Sequence, residues 1–457
     1  MWVVALSSAP SRLLAAPPTA LTKTEALPKG DDASAKAARG ERVDLRRAIA
    51  LALAQNPELS AARHEIDVAR AQRDKAASER WPAVRGLAFF TENRRSQRLY
   101  PAASPGEPAI VSHHLLGADL FASLPLFTGG RLRANLRAAD HGLSSTRQAE
   151  TRSKTEVIYK VTGLNFAILA QRQLCSALLI SEDVLREQQK KLAALVEERK
   201  AAPLDRQRVE VRLAALRQRR IRETSTLATL TLSLASLLGR DGLQQPIEIA
   251  GTLSTSPRPR KSKAEEAIAT ALKRRPDYLA ARASLRAQEE RVLAARAGRW
   301  PQLSLQGSYG VRWGLWPTES PEGVSTVADV GQVGLMLDVP IFLGGKVRAE
   351  IREQEARIKV AADRLRQLEL RIRVEVQTAL LDRDAAAERV AVSDTTIALA
   401  KETYRVEAEK HAAGKSTITD LLSTQSDLLD AEAERARSLA DTNIAEAALT
   451  LVLGETP

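Results

Sequence analysis

The sequence predicts a mostly helical chain written twice in tandem, each copy carrying two strands that cannot close a sheet alone. Three observations lead there. The 457 residues are rich in Ala, Leu, Arg and Glu, and only 4% are aromatic, a composition of long helices rather than of a sheet-rich globule. The text repeats itself at a fixed offset. Within each copy the hydrophobic period switches from helical to two and back.

The offset is the most informative feature. Asn-Pro-Glu-Leu-Ser-Ala-Ala-Arg around Pro57 returns as Arg-Pro-Asp-Tyr-Leu-Ala-Ala-Arg around Pro276, and Trp81-Pro82 as Trp300-Pro301, both 219 residues on. Pro-Leu-Phe-Thr-Gly-Gly-Arg-Leu-Arg-Ala from Pro125 returns from Pro340 as Pro-Ile-Phe-Leu-Gly-Gly-Lys-Val-Arg-Ala, now at 215, and Asp205/Asp420 and Leu238-Gly239/Leu453-Gly454 keep that 215. One change of four residues, between Pro82 and Pro125, places the length difference in a single loop. The copies are residues 44–242 and 263–457, joined by a linker at 243–262, after a leader and flexible segment at 1–43.

Each copy opens with a helical stretch, Asp44 to Arg80 and Lys263 to Arg299, which Trp-Pro ends because proline cannot continue the ladder and disfavours the helical region before it. Strands are expected at about 82–92 and 114–127, and at about 302–313 and 330–342. Leu303, Leu305, Gly307, Tyr309, Val311 and Trp313 alternate with Gln302, Ser304, Gln306, Ser308, Gly310 and Arg312; Val333, Leu335, Leu337, Val339 and Ile341 alternate with Gln332, Gly334, Met336 and Asp338. Shifted by 215, the apolar set of the last strand becomes Ala118, Leu120, Ala122, Leu124 and Leu126. These strands thus show one apolar face, while the first strand of copy one, near Val84 to Phe90, is less clean. Turn-rich segments at 93–112 and 314–329 join the strands at the end away from the helices.

After Gly129-Gly130 and Gly344-Gly345 very long helical patterns begin, interrupted near 199–205 and 411–417 by hairpins. Ile351, Ile358, Leu365 and Ile372 stand seven apart, as do Val390, Ile397 and Tyr404, the seam of a helix with a continuous partner. The step of eighteen from Ile372 to Val390 is a seven plus an eleven, a mixture that keeps such helices nearly straight. Four strands whose apolar faces need lipid and whose edges need partners demand several copies; three chains supply twelve strands around a lumen, with their helices packed as a tube.

The helix, two strands, Pro-Leu-Phe-x-Gly-Gly-(Arg/Lys), long helix, hairpin and returning helix, given twice, resemble the TolC/OprM outer-membrane efflux family over about 44–457. The stretch Ala413 to Leu422 is similar to that family's periplasmic hairpin, and Ala202 to Arg206 to its first-copy counterpart. The resemblance implies a trimeric α-helical barrel continued by a shared 12-stranded β-barrel in the outer membrane. It implies an exit duct of a tripartite efflux or type I secretion system, served by a periplasmic adaptor (membrane fusion) protein and an inner-membrane RND or ABC transporter. It also implies that Asp420 lines a pore constriction, and that Arg199, Lys200, Asp205, Gly414, Lys415, Ser416 and Thr417 sit at hairpin tips where an adaptor docks. Leu120, Leu124, Leu126, Leu305, Tyr309, Val333, Leu335, Leu337, Val339 and Ile341 would face lipid. The sequence departs from the family's pattern at Ser416, Ser423 and Arg199, the last in place of a hairpin glycine.

Other chemistry finds little purchase. The charge of +12 and pI of 9.9 are spread over helical stretches that also hold 56 acids, the pattern of solvated faces, and no nucleic-acid partner is expected. Cys175 is the single cysteine and maps to the seam position Val390, hence a small buried hydrophobe. His113-His114 are adjacent, so as strand residues they point to opposite faces rather than to one metal; Gly344-Gly345-Lys346 lacks the first glycine and the Ser or Thr of a phosphate loop. No enzyme, cofactor or metal is expected. The N-terminus is apolar from Met1 to Leu6 with its first Arg at Arg12, an atypical or truncated signal. No run of 18 apolar residues suggests a membrane-crossing helix. The competing reading, a basic coiled-coil scaffold or a periplasmic adaptor protein, accounts for the helices and leaves the alternating strands unexplained.

Overall fold

The computed structural model describes residues 41–94, 114–200, 202–242, 247–254, 263–315 and 326–455, and the chain divides into residues 1–40 and the unit Glu41–Pro457. The leader thus lies outside the described residues except for Glu41–Val43, which form strand β1. That strand pairs in parallel with β4 (Ile247–Ile249) in the linker, so both segments belong to the folded unit.

The remaining elements run in two similar series. In the first, α1 (Leu45–Gln55), α2 (Pro57–Ser78), β2 (Ala83–Glu92), β3 (His114–Phe127), α3 (Arg131–Glu197) and α4 (Pro203–Leu237) follow one another. In the second come α5 (Ala264–Arg274), α6 (Pro276–Arg296), β5 (Gln302–Leu315), β6 (Val327–Asp338), α7 (Lys346–Ala412) and α8 (Ile418–Leu453). The opening helix of each copy is broken in two, because Pro57 and Pro276 each begin a new helix as its first residue. Asn56 caps α2 by accepting from the Leu59 N–H and donates to the Leu237 carbonyl at 2.8 Å. Arg275 fills the same place in the second copy, 1% exposed and held by Asp277 and Glu375 at 2.6 Å each.

The cores repeat as the sequence does. Ala48, Ala52, Val157, Val161 and Leu234 pack together in the first, and Ala267, Ala271, Ile372, Val376 and Leu449 in the second. Gly239 and Gly454, both in the left-handed region, end α4 and α8 against those helix breaks; a Cβ on Gly239 would lie 2.4 Å from the Gln55 carbonyl oxygen, so only glycine fits.

Helices α3 and α7 have 67 residues each, roughly 100 Å at 1.5 Å per residue. Gly130 and Gly345 start them from the left-handed region. Contrary to the sequence reading, one stretch of α3 is by length and composition apolar enough to cross a membrane. Val157, Val161, Ile168 and Leu169 of that helix are buried in the first core. Cys175 is half-buried rather than buried, and that burial pushes its thiol pKa up.

Candidate functional site: a two-faced sheet above a double hairpin

The four long strands form one antiparallel sheet in the order β2-β3-β5-β6, leaving β2 and β6 as its edges within the chain. The fourth strand begins at Val327 and ends at Asp338, so the loop before it is shorter than 314–329 and most of it (316–325), like 95–113, lies outside the described residues.

Pairing register settles which side chains share a face, since directly opposed residues point the same way. Gly86 opposes Leu120, Leu120 opposes Tyr309, Leu124 opposes Leu305, Leu305 opposes Leu335, Gly307 opposes Val333 and Leu303 opposes Leu337. These residues share one apolar face with Val84, Phe90 and Leu116, and Val333 is 81% exposed upon it. Three expected lipid contacts are placed differently. A bulge between Pro125 and Phe127 passes the position opposite Leu303 to Phe127, so Leu126 is the extra residue. Val339 and Ile341 lie beyond the end of β6, exposed and outside the ladder, because β5 begins at Gln302, opposite Asp338, and offers them no partner within the chain.

The other face is polar and concave. A hollow of about 630 Å³ opens on it, lined by Arg85, Phe121, Ser123, Gln306, Ser308 and Gln332 among others. Above the hollow Arg312 grips Asp119 through its two terminal guanidinium nitrogens, one of them at 2.9 Å, and stacks 5.0 Å from the centre of the Phe89 ring. Two glycines make the room: a Cβ on Gly310 would lie 1.9 Å from Asp119 Oδ1, and one on Gly117 2.5 Å from Phe89. Sequence reasoning missed this pair. The available signal was a lone charge amid each strand, but linking the two required the register.

At the far end of the long helices the two hairpins meet. Leu192 of α3, Val209 of α4, and Ile418 and Leu421 of α8 pack together just behind the turns. The turns are built alike: Gly414 has φ 68°, and Arg199, 215 residues earlier, takes φ 59° although it has a side chain. Both bond their backbones in the same way, Lys200 N–H to the Leu195 carbonyl and Lys415 N–H to that of Lys410, each at 2.8–2.9 Å. Lys200 pairs with Glu198 at 2.7 Å, and the Ser416 hydroxyl donates to Glu407.

The helix starts differ. Thr417 and Asp420 make a capping box on α8: the Thr417 hydroxyl oxygen accepts from the Asp420 N–H, and the Asp420 carboxylate accepts from the Thr417 N–H at 3.3 Å and its hydroxyl at 2.6 Å. The Thr417 hydrogen bonds hold the Asp420 carboxyl below the usual carboxylate range. Asp205 opens α4 with Ala202 at the cap and no side-chain bond there; it pairs with Arg208 at 3.5 Å. Further up, Glu182, fully buried, gathers Arg186 at 2.5 Å, Arg217 at 3.0 Å and Arg220 at 2.7 Å and so ties α3 to α4. This cluster too was not anticipated, because i,i+4 charges on a helix read as a solvated face.

A sheet with one lipid-compatible face and one polar concave face, continued by paired helices about 100 Å long, defines the subunit of an outer-membrane channel. The outer membrane efflux protein family matches residues 48–240 and again 267–455, which are the two copies, and the chain belongs to that family. Outer membrane efflux protein BepC of Brucella suis is 22% identical over 335 residues, covering 72% of this chain and 70% of BepC. Outer membrane protein OprJ of Pseudomonas aeruginosa is 29% identical over 325 residues, covering 69% and 64%. Among solved structures, the outer membrane protein VceC of Vibrio cholerae superposes with a TM-score of 0.77 at 18% identity, over 90% of this chain and 96% of that one. The chain is therefore an outer-membrane efflux channel with a periplasmic helical portion, as the resemblance implied, and the scaffold and adaptor readings are set aside.

Proposed function

We propose that three copies of the chain form the exit duct of a tripartite efflux or type I secretion system, passing substrate passively from a periplasmic adaptor and an inner-membrane RND or ABC transporter to the exterior. The observation that carries this reading is the sheet: four strands, an apolar outer face and two unpaired edges that only further strands can satisfy. The hairpin turns at Arg199–Lys200 and Gly414–Thr417 face away from the membrane and are the places for an adaptor to dock. Asp420 of three chains would ring the periplasmic mouth, each carboxylate held by its own Thr417. Nothing in this reading requires catalysis by the chain. Light scattering on the purified protein is expected to give a detergent-dependent trimer; a soluble monomer near 50 kDa, with no detergent requirement, overturns it.

A further inference from the structure

The polar face of the sheet carries four charged side chains among the described strand residues: Arg85, Asp119, Arg312 and Asp338. Two cancel. Asp119, 7% exposed, and Arg312 are locked together over Phe89, so neither offers its charge freely to the lumen. Asp338 is the last residue of β6, six residues from Gln332 and so about 20 Å along the strand. Arg85 remains as an exposed cation within the span of the sheet.

Its neighbours are specific. Register puts Arg85 opposite Phe121, Phe121 opposite Ser308 and Ser308 opposite Gln332, one row across all four strands. The next row adds Ser123 and Gln306, and the hollow of about 630 Å³ opens on both rows. A guanidinium, hydroxyl and amide donors and an aromatic ring therefore line one trough, and among the described residues of the chain no free carboxylate lines it. Closure of the barrel by three chains repeats the row into a ring.

We propose that this row is a transit site for organic anions that carry an apolar ring, Arg85 pairing with the carboxylate or sulfonate and Phe121 with the ring. The inference rests on the duct reading and deepens it. The membrane barrel then prefers anions while the acidic periplasmic mouth prefers cations, so the two ends of one duct select on opposite signs. A cationic ring at a constricted, partly desolvated wall acts on passing ions far more strongly than the same charge in bulk water.

The test uses the purified full-length protein in planar bilayers, with naphthalene-1-sulfonate added to the external side. Wild-type current is expected to be blocked, with half-block concentration raised about fivefold or more in Arg85→Gln and restored in Arg85→Lys, since loss of one charge-assisted contact per chain weakens the site by at least that much. Under a salt gradient the reversal potential of Arg85→Gln should shift toward cation selectivity. Phe121→Ala should weaken block by the aromatic anion and leave the reversal potential unchanged. Equal block and equal reversal potential in wild type and Arg85→Gln overturn this inference alone. Inserted protein that conducts no current either as wild type or as Asp205→Ala overturns the duct reading, and this inference with it.

Discussion

Arginine scanned along β6 should separate the two faces of the sheet by assembly alone. Val333, Leu335 and Leu337 lie on the apolar face, 81%, 67% and 62% exposed in the single chain. On that face an arginine costs about 2–4 kcal/mol at the bilayer midplane and about 0–1 near the interface. Val333 lies near the middle of the strand Val327–Asp338 and Leu337 next to its end. The expected order of damage is therefore Val333→Arg, then Leu335→Arg, then Leu337→Arg. With three copies, Val333→Arg alone costs roughly 6–12 kcal/mol per trimer, enough to abolish assembly. Gly334→Arg and Gln332→Arg put the same charge on the polar face; at Gly334 a Cβ meets nothing within 4 Å, so the wall itself does not object. The assay is the fraction of protein recovered as trimer from outer membranes by size exclusion in mild detergent. Trimer yields that fall equally in the two sets would refute the face assignment, and a larger loss at Leu337 than at Val333 would refute the depth assignment.

Two further outcomes are expected at the hairpins. Arg199→Gly should raise the unfolding midpoint of the detergent-solubilised trimer and Gly414→Ala should lower it, because a side chain in the left-handed region costs about 1–2 kcal/mol, partly offset in the glycine by unfolded-state freedom; both turns have φ near 60–70° and nothing stands within 4 Å of a Cβ at Gly414. Asp420→Asn, which keeps a hydrogen-bond acceptor for Thr417 and removes the charge, should relieve block by multivalent cations and reduce cation selectivity in bilayers, while Asp205→Ala should mainly raise the fraction of open channels; unchanged block in Asp420→Asn would remove that residue from the constriction.

Much of this architecture is legible because duplication supplies an internal control. A lone strand pattern such as Val84 to Phe90 is weak, since Leu87 and Phe89 fall on the polar face; the Trp-Pro and Gly-Gly marks at fixed offset place that strand regardless. What stayed hidden depends on register. Pro125 and Pro340 occupy equivalent places, yet one lies within β3 beside a bulge and the other just past the end of β6, so a strict alternation misplaced Leu126, Val339 and Ile341. The Asp119–Arg312 pair spans 193 residues and joins strands from different copies, so neither copy alone predicts it. Glu182 looked like one of many helix-surface acids until α4 brought Arg217 and Arg220 across to it.

The copies diverge where their surroundings differ. Core positions keep size and spacing, with Ala48 answering Ala267, Ala52 answering Ala271 and Val161 answering Val376. At the hairpins the divergence runs in one direction. The second copy has glycine where the turn needs a positive φ and a Thr417–Asp420 box closing the first turn of α8, so its local interactions agree with its shape. The first copy bends through Arg199 and starts α4 from Ala202 without a side-chain cap, so its turn is held against local preference by the packing of Leu192 and Val209 on α8. Placement is the same and stability is not. In a ring of six such hairpins, three are self-sufficient and three lean on their neighbours, which makes the first-copy turn the element whose shape a docked partner can change at the smaller energetic cost.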